Sequence, residues 1–239
     1  MQDVAWLSRT EVLIGKEKLN RLINSHVMVL GLGGVGSFAA EFLCRGGIGK
    51  MTIIDGDVVD PSNRNRQLPA LATTHGQSKA ALMAERLYAI NPELKLQVIN
   101  DFMTPERIES LIDMNPDYAI DAIDSITPKL SFIRHAYTKR IHFVSSMGAG
   151  GRVDPTKLEV VDISQTYNCP LAQHIRKKLK KHRIYKGIKV VFSSELPDKN
   201  SLLYTDGSNY KKSAYGTMSY IPATFGAAAA SVVIRDLIK

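Results

Sequence analysis

A glycine-rich turn near the start of the chain constrains its fold more than any other feature. The segment GLGGVG (31–36) separates a short apolar run, HVMVLG (26–31), from SFAAEFLCR (37–45), which has helical spacing. A strand, a glycine turn and a helix in this order are typical of a nucleotide-binding α/β unit, because the turn lets a phosphate approach backbone amides at the helix start. The glycines predicted to contact a nucleotide are Gly31, Gly33, Gly34 and Gly36.

Strands and helices continue to alternate to about residue 150. Further strands are predicted at 50–55, 95–100, 117–124 and 142–146, and helices at 77–91, 104–114 and 129–140. This order predicts an α/β, Rossmann-like fold with a mostly parallel sheet and helices on both faces.

The pattern changes after residue 150 into a C-terminal strand-and-helix region. Strands are predicted at 157–164 and 188–195, a basic helix from Pro170 to Lys181, a loop rich in turn formers at 197–212, and a helix from Pro222. We expect a single domain over 1–239, in which 1–150 binds the nucleotide and 151–239 faces the substrate.

The net charge of +8 is concentrated in one segment. Between Arg176 and Lys189 there are eight Lys or Arg and no acid, which leaves 23 bases against 23 acids in the rest of the chain. Such a segment attracts nucleic acid through its phosphates, although a solvated helix face followed by a basic loop explains it equally well.

Cysteine usage and hydropathy favour a cytoplasmic protein without membrane association. Cys44 and Cys169 form neither a Cys-x-x-Cys pair nor a disulfide framework, and the six histidines show no metal-ligand spacing with them. The N-terminal segment lacks the apolar run of a signal peptide, and no stretch approaches the length of a membrane span. Cys44, within a predicted helix, is expected to be a buried small side chain.

Polar residues after the predicted strands indicate which nucleotide is bound. Asp55, 19 residues after Gly36, is placed to accept hydrogen bonds from ribose hydroxyls, which leaves NAD, FAD and ATP open. The segment SNRNRQ (62–67) adds Arg64 and Arg66, and arginine neutralises charge on a reacting phosphate, for which an NAD enzyme has no use. Attack on the α-phosphate of ATP is therefore favoured, with Asn63 and Lys79 as further donors and Asp124 as a ligand for Mg²⁺.

The order of these motifs resembles the ubiquitin-activating-enzyme-like adenylyltransferases, which include the sulfur-carrier activators of molybdopterin and thiamine synthesis. The motifs are GLGGVG (31–36), IDGDVVDPSNRNRQ (54–67), GQSKA (76–80) and DAIDS (121–125). The resemblance implies ATP and magnesium positions at Asp55, Asp57, Asn63, Arg66, Lys79 and Asp124, with Arg66, Lys79 and Asp124 catalytic. LSRTE (7–11) resembles the segment that reaches the partner subunit's ATP, which implies a homodimer in which Arg9 acts in trans. Arg64 matches no invariant position and is expected to be a supporting contact.

The remainder of the chain resembles the tRNA threonylcarbamoyladenosine dehydratase branch of that superfamily, the TcdA or CsdL group. The segments concerned are 147–164, 169–181 and 190–195. The resemblance implies ATP-dependent cyclisation of threonylcarbamoyladenosine in tRNA, and it retains a cysteine desulfurase system as a candidate further partner. The basic segment then supplies candidate tRNA contacts at Arg176, Lys177, Lys180, Lys181 and Arg183. Tyr167, Tyr185 and Tyr210 are candidates for stacking on bases.

Three other functions are weighed against this one. The first is activation of the C-terminus of a small sulfur-carrier protein, which the absence of paired Cys-x-x-Cys motifs and of a cysteine in 214–226 disfavours. The second is a nicotinamide-dependent oxidoreductase, which Arg66, Lys79 and Asp124 disfavour. The third is a non-catalytic, nucleotide-gated RNA-binding module.

Overall fold

A computed structural model describes residues 4–204 and 213–239. Its main sheet has seven strands in the order β3-β2-β1-β4-β5-β7-β6. These strands are β1 (His26–Leu30), β2 (Lys50–Ile54), β3 (Lys95–Ile99), β4 (Tyr118–Asp121), β5 (Phe143–Ser146), β6 (Leu158–Asp162) and β7 (Lys189–Ser193). Neighbouring strands run parallel, except that β6 pairs antiparallel with β7.

Helices cover both faces of this sheet. They are α1 (Ser8–Ile14), α2 (Lys16–Asn24), α3 (Gly36–Arg45), α4 (Lys79–Ile90), α5 (Pro105–Ile112), α6 (Ile126–Lys139), α7 (Pro170–Lys180) and α8 (Tyr220–Leu237). Because side chains alternate along a strand, Val27 and Val29 of β1 join a core with α3, α4 and α8, whereas Met28 and Leu30 join a core with α5, α6 and α7. The predicted fold class is confirmed.

Several element boundaries differ from those predicted. The fourth strand ends at Asp121 because the Asp121 carboxylate accepts a hydrogen bond from Ile123 N at 3.0 Å, a local turn that competes with the strand ladder. The last helix begins at Tyr220, and Pro222 is tolerated in its first turn because an amide there needs no helical partner. Helices α1 and α2, which precede the first strand, were not predicted.

The predicted loop at 197–212 is partly wrong. Leu202–Tyr204 forms β8, which pairs antiparallel with β9 (Ser213–Tyr215). The apolar and aromatic residues of LLY favour a strand over a loop. Residues 205–212, including Tyr210, lie outside the described part of the chain. None of the helices described in 4–204 and 213–239 is long and apolar enough to cross a membrane.

Candidate nucleotide site and basic surface

The predicted site residues meet at the carboxyl-terminal edge of the sheet. Strand β1 lies between β2 and β4, so the loops that follow these three strands diverge there and leave a crevice. Gly31 follows β1, Asp55 follows β2, and Asp124 lies three residues beyond β4. Open α/β sheets bind their ligands at such a point.

The packing of the glycine turn explains three of its four glycines. Gly31 has φ +89°, and a Cβ there would lie 2.9 Å from the Ala122 carbonyl oxygen. A Cβ on Gly36 would lie 1.7 Å from the Gly31 carbonyl oxygen, and one on Gly34 would lie 2.9 Å from Pro222 Cβ. These contacts pack the turn against β4 and α8.

The Cβ position of Gly33 faces open space, in contrast to those of the other glycines of the turn. Among the described atoms, a Cβ there would meet only Gln67 Nε2, at 3.8 Å. The Gln67 Oε1 atom is buried and accepts no hydrogen bond from residues 4–204 or 213–239. The Gln67 atom that borders the open side of Gly33 is therefore Nε2, a hydrogen-bond donor of the kind that a phosphate oxygen accepts. Gln67 was not predicted as a site residue, because a lone glutamine carries no charge signal.

Asp55 connects the end of β2 to the glycine turn. Its side chain is 6% exposed, and its two oxygens accept hydrogen bonds from Leu32 N at 2.6 Å and Asp57 N at 2.8 Å. Burial raises the pKa of Asp55, while the Lys79 charge and the two backbone donors oppose that rise. Each carboxylate oxygen keeps a second lone pair for a further donor, and the contact of Asp55 with ribose hydroxyls stays a prediction.

Lys79 is brought to the same crevice by the start of α4. Ser78 caps this helix by accepting a hydrogen bond from Ala81 N, and the Lys79 side chain is buried. Its Nζ lies 3.0 Å from Asp57 Oδ2, and its backbone N donates to the Asp57 carbonyl at 3.1 Å. A buried ammonium needs an anionic partner. Because the Asp57 carboxylate is half-exposed, a phosphate group can replace it as the partner of Lys79.

A 3₁₀ helix, Pro61–Asn65, positions the arginine segment. Asn63 is buried, and its Oδ1 accepts a hydrogen bond from Asp60 N at 3.2 Å, which closes a capping box. The Nδ2 group of Asn63 takes no part in this capping box, and it has two N–H groups that can donate hydrogen bonds. Arg64 is exposed to solvent.

Arg66 follows this 3₁₀ helix and is half-buried. Its Nη1 donates to the Ser62 carbonyl at 2.9 Å and to Asn65 Oδ1 at 2.8 Å, which fixes one side of the guanidinium. Burial lowers the pKa of Arg66, and the negative charges of Asp124 and Asp60 oppose that effect. Asp124 therefore lies within electrostatic reach of Arg66, and it is exposed. The structure brings these two predicted residues together.

A fully buried ion pair supports the Asp124 loop and was not predicted. Lys129 Nζ lies 2.7 Å from Asp121 Oδ2, and Ser145 Oγ donates to the same oxygen at 2.6 Å. The motif DAIDS contains both acids, but sequence alone did not show which one faces the interior. Within the described residues, no group of three or more His, Cys, Asp or Glu could hold a metal ion.

Arg152 holds together the loops that follow β5 and β7 at the same edge of the sheet. Its guanidinium is buried and donates to the carbonyls of Gly148 at 2.5 Å, Gly150 at 3.1 Å and Glu195 at 3.0 Å. These bonds fix the loop after β5 against the one after β7. A buried arginine is tolerated when its donors are satisfied in this way.

The basic segment lies largely at the opposite edge of the sheet. Helix α7 starts close to Gly148, after β5, and ends before Lys189, the first residue of β7, so its C-terminal half points to the amino-terminal edge. Arg176 is half-buried and donates to the Thr166 carbonyl at 2.8 Å, which holds it within the fold. The exposed predicted tRNA contacts are Lys177, Lys180, Lys181 and Arg183.

The remaining tyrosine candidates differ in their surroundings. The Tyr167 hydroxyl donates to Glu159 Oε1 at 2.9 Å, and its ring packs edge-on against Phe192. Tyr185 is exposed on the loop between α7 and β7. Of the two, Tyr185 has the freer ring face for stacking.

Arg9 lies away from the glycine turn of its own chain. It is exposed on α1, two residues after Leu7, whose side chain packs near Gly47 between α3 and β2. That position is the amino-terminal edge of the sheet. None of the α1 residues is buried, and Val12 and Leu13 are 87% and 83% exposed.

Both cysteines are buried. Cys44 Sγ lies 3.7 Å from the Leu87 carbonyl oxygen, and burial raises the pKa of its thiol to about 12. The prediction for Cys44 is confirmed. Cys169 occupies the N-cap position of α7 and packs in the core on that face of the sheet.

The chain is similar to known proteins over nearly its full length. The sequence model described as the ThiF family matches residues 7–239. The tRNA threonylcarbamoyladenosine dehydratase of Bacillus subtilis (strain 168) is 42% identical, over 97% of this chain and 94% of that protein. The protein of the same name from Escherichia coli (strain K12) is 38% identical, over 98% of this chain and 94% of that protein.

Solved structures give the same grouping. The crystal structure of E. coli tRNA N6-threonylcarbamoyladenosine dehydratase, TcdA, in complex with ATP superposes with a TM-score of 0.90 at 37% identity, covering 98% of this chain and 94% of that one. Its complex with AMP gives a TM-score of 0.87 at 38% identity, covering 98% and 96%. In contrast, the molybdopterin-synthase adenylyltransferase of Salmonella typhimurium (strain LT2) is 30% identical over 59% of this chain and 54% of that protein.

Proposed function

Because the chain belongs to the ThiF family, we propose that it catalyses the ATP-dependent cyclisation of threonylcarbamoyladenosine in tRNA. The observation that carries this proposal is that the dehydratases match this chain almost completely, including residues 151–239. The resemblance to their branch is confirmed. The molybdopterin-synthase adenylyltransferase, by comparison, matches only 59% of the chain.

The proposed reaction has two steps. A threonyl carboxylate oxygen attacks the α-phosphorus of ATP, the bond to pyrophosphate breaks, and an acyl-adenylate forms. The carbamoyl nitrogen then attacks the acyl carbon, loses its proton and displaces AMP, so that the ring closes with net loss of water from the nucleoside. The second step is intramolecular, and it gains from proximity without a covalent enzyme intermediate.

The residues of the crevice can bind ATP and neutralise charge on its phosphates. Asp55 accepts from the ribose, while Arg66 and Lys79 provide positive charge near the α-phosphate and the departing pyrophosphate. Lys79 leaves Asp57 when the more highly charged triphosphate is present. The amides of Asn63 and Gln67 add neutral donors beside the glycine turn.

The donors at this edge fit a magnesium ion. Mg²⁺ is commonly held by one or two carboxylates together with nucleotide phosphates, and Asp124 is an exposed carboxylate near Arg66. When bound there, the ion neutralises phosphate charge. Asp124 is the residue that would hold it.

A homodimer completes the proposed site. Arg9 lies at the edge opposite to its own glycine turn, so it can reach a triphosphate only in a second subunit. The exposed Val12 and Leu13 beside it suit burial against another copy of the chain. We assign Arg9 to the partner's triphosphate.

We assign tRNA binding to residues 151–239, which include the basic segment 176–189. Lys177, Lys180 and Lys181 contact its phosphates, while Arg176 is used by the fold. The reaction consumes no sulfur, so it requires no contribution from a cysteine desulfurase. It takes place in the cytoplasm, where ATP and tRNA are present.

Pyrophosphate exchange with a choice of acceptors tests this function. The protein is incubated with ATP, labelled pyrophosphate and either tRNA carrying threonylcarbamoyladenosine, the same tRNA without the modification, or a sulfur-carrier protein. Exchange stimulated by the modified tRNA, and a nucleoside product lighter by one water in mass spectrometry, are expected. Exchange stimulated by the carrier protein alone would establish the alternative, a sulfur-carrier adenylyltransferase.

A further inference from the structure

A broad groove opens at the amino-terminal edge of the sheet, opposite to the nucleotide crevice. Its volume is about 1110 Å³, and its floor includes Tyr118, Phe143 and Lys189, the first residues of β4, β5 and β7. The C-terminal end of α6 forms one wall, and the loop between α7 and β7 forms another. No step of the proposed reaction uses this groove.

The groove carries an excess of positive charge. Among the residues that the structure describes, five lysines or arginines and three histidines line it, together with two acids, Glu109 and Asp236. Asp236 is already bound by Lys189, at 2.6 Å, and by Lys239, at 2.5 Å. Lys139 pairs with Asp113, at 2.7 Å. The lining cations that form no ion pair with any residue of 4–204 or 213–239 are Arg134, Arg140 and Arg183.

Two of these arginines occupy backbone positions that favour glycine. Arg140 ends α6 with φ +58°, and Arg183 follows α7 with φ +60°. Left-handed backbone costs a residue with a side chain about 1 kcal/mol, and glycine is the usual choice after a helix. An exposed arginine at both positions suggests that its side chain is retained for a contact with a ligand.

Aromatic groups lie beside these cations. The Tyr137 ring lies 3.2 Å from the Cβ position of Gly187 and is partly exposed, and His142 stacks against Tyr118 with ring centroids 6.1 Å apart. The exposed Lys180 and Lys181 at the end of α7 continue the positive surface beyond Arg183. Arginines with free donors next to aromatic rings are typical of RNA-binding surfaces.

A ligand that contacts both the groove and the nucleotide crevice must be long enough to span the distance between them. Helix α6 runs from the Asp124 loop to the groove, and its 14 residues span about 21 Å. A nucleotide cannot reach both edges, whereas a folded RNA can.

We infer that this groove binds the sugar-phosphate backbone of the tRNA outside the modified nucleotide, through Arg134, Arg140 and Arg183. The inference rests on the proposed function for the identity of the RNA. It adds a second contact surface, on the edge of the sheet that is remote from the chemistry. The groove therefore serves affinity for the whole tRNA and takes no part in adenylation.

The test uses the full-length protein with the substitutions Arg140→Gly and Arg183→Gly combined. Glycine accepts the left-handed backbone, so the fold is retained while two charges are lost. The Arg140→Asn, Arg183→Asn pair is a second variant that also tolerates this backbone. Asn115→Gly, at φ +48°, controls for the backbone change without loss of charge. Arg21→Gln with Lys95→Gln removes two exposed charges outside the groove.

Two substrates are compared, namely full-length modified tRNA and a stem-loop fragment carrying the same modified nucleotide. For full-length tRNA, we expect the groove variants to raise Kd and KM about tenfold, to leave kcat unchanged, and to reduce the salt slope of binding by about two. The fragment should be cyclised equally well by wild type and variants. Both controls should behave as wild type.

The outcomes separate the groove from the proposed function. If wild type cyclises the tRNA and both groove variants bind it as wild type does, the groove assignment is overturned and the function stands. If wild type cyclises neither RNA but the groove variants still lose tRNA affinity, the function fails and the groove assignment stands. Equal losses on the fragment, or groove-dependent capture of an acidic protein with tRNA binding unchanged, would overturn the groove assignment.

Discussion

Lys129 Nζ and Asp121 Oδ2 lie 2.7 Å apart, and both side chains are completely buried. Ser145 Oγ donates to the same carboxylate oxygen, and Ile123 N donates to the other one. These bonds join the end of β4 to α6 and β5. They also fix the first residues of the loop that carries Asp124, so a structural ion pair supports the loop of the proposed magnesium ligand.

Removal of the buried ammonium should destabilise the protein strongly. Lys129→Met leaves the Asp121 carboxylate buried and uncompensated, which costs about 3–5 kcal/mol. Urea denaturation measures this loss. Arg21→Met, in the exposed Arg21–Glu17 pair, is the matched control and should change stability by no more than about 0.5 kcal/mol. Equal losses in the two variants would show that burial of the pair has no energetic effect.

Arg66 and Arg64 should differ sharply in adenylation. Arg66→Ala removes the half-buried guanidinium beside Asp124, and we expect tRNA-dependent pyrophosphate exchange to fall about 10²- to 10³-fold. Arg64→Ala removes an exposed charge from the same segment, and a fall of less than about fivefold is expected because exposed charges are screened. Affinity for tRNA should not change in either variant. Similar losses in exchange would mean that general positive charge, not the position of Arg66, promotes the reaction.

Neither cysteine should be needed for cyclisation. Burial raises the pKa of Cys44 to about 12, so its thiol stays protonated and cannot accept an acyl group. The Cys44→Ala, Cys169→Ala double variant should cyclise modified tRNA within about threefold of wild type, as expected when no covalent intermediate forms. A large loss of cyclisation with normal pyrophosphate exchange would instead indicate a thioester, and the single variants would identify the cysteine.

The sequence predicted the parts of the site that depend on chain order. Gly31, Asp55 and Asp124 follow parallel strands, and the carboxyl ends of such strands share one edge, so the order of the elements is enough to predict that these residues converge. The role of Gln67 could not be predicted in this way. Gln67 Nε2 lies beside Gly33 and the buried Gln67 Oε1 has no partner among the described residues, and both positions depend on the exact course of the chain after the 3₁₀ helix.

The sequence also could not predict at which edge of the sheet the basic segment 176–189 lies. Eight positive charges in 176–189 could be counted, but it is the antiparallel run of α7 relative to β7 that places most of them at the edge of the sheet opposite to the nucleotide crevice. Arg176 shows the same limit, because only the fold reveals that its guanidinium is bound to the Thr166 carbonyl. A run of positive charges in the sequence does not specify which side chains bind other groups of the protein and which remain exposed.

Acid should weaken the contact between α8 and the start of β7. Burial alone would raise the pKa of Asp236, but hydrogen bonds from Lys189, Lys239 and Tyr118 lower it below the ordinary value of an aspartate. Its contribution to stability is therefore present above the unfolded-state pKa, about 3.9, and is lost as the pH falls through the folded-state value.

Asp236→Asn measures this contribution. At pH 7 the variant should be less stable by about 1 kcal/mol, since the cluster is partly exposed and screened. Urea denaturation at a series of pH values should show the difference shrinking in strongly acidic solution. A difference that does not depend on pH would assign the effect to packing and not to charge.

The action of Arg9 in trans can be tested by mixing two inactive variants. Arg9→Ala and Asp124→Ala homodimers should each be inactive, because every site lacks one of the two groups. In a mixed dimer, the site that keeps its own Asp124 receives Arg9 from the other subunit and is complete. Random mixing makes half of the dimers mixed, with one working site in each, so about a quarter of the wild-type activity should return for a symmetric dimer. If Arg9 acted on its own subunit's ATP, neither site of a mixed dimer would be complete and no activity would return.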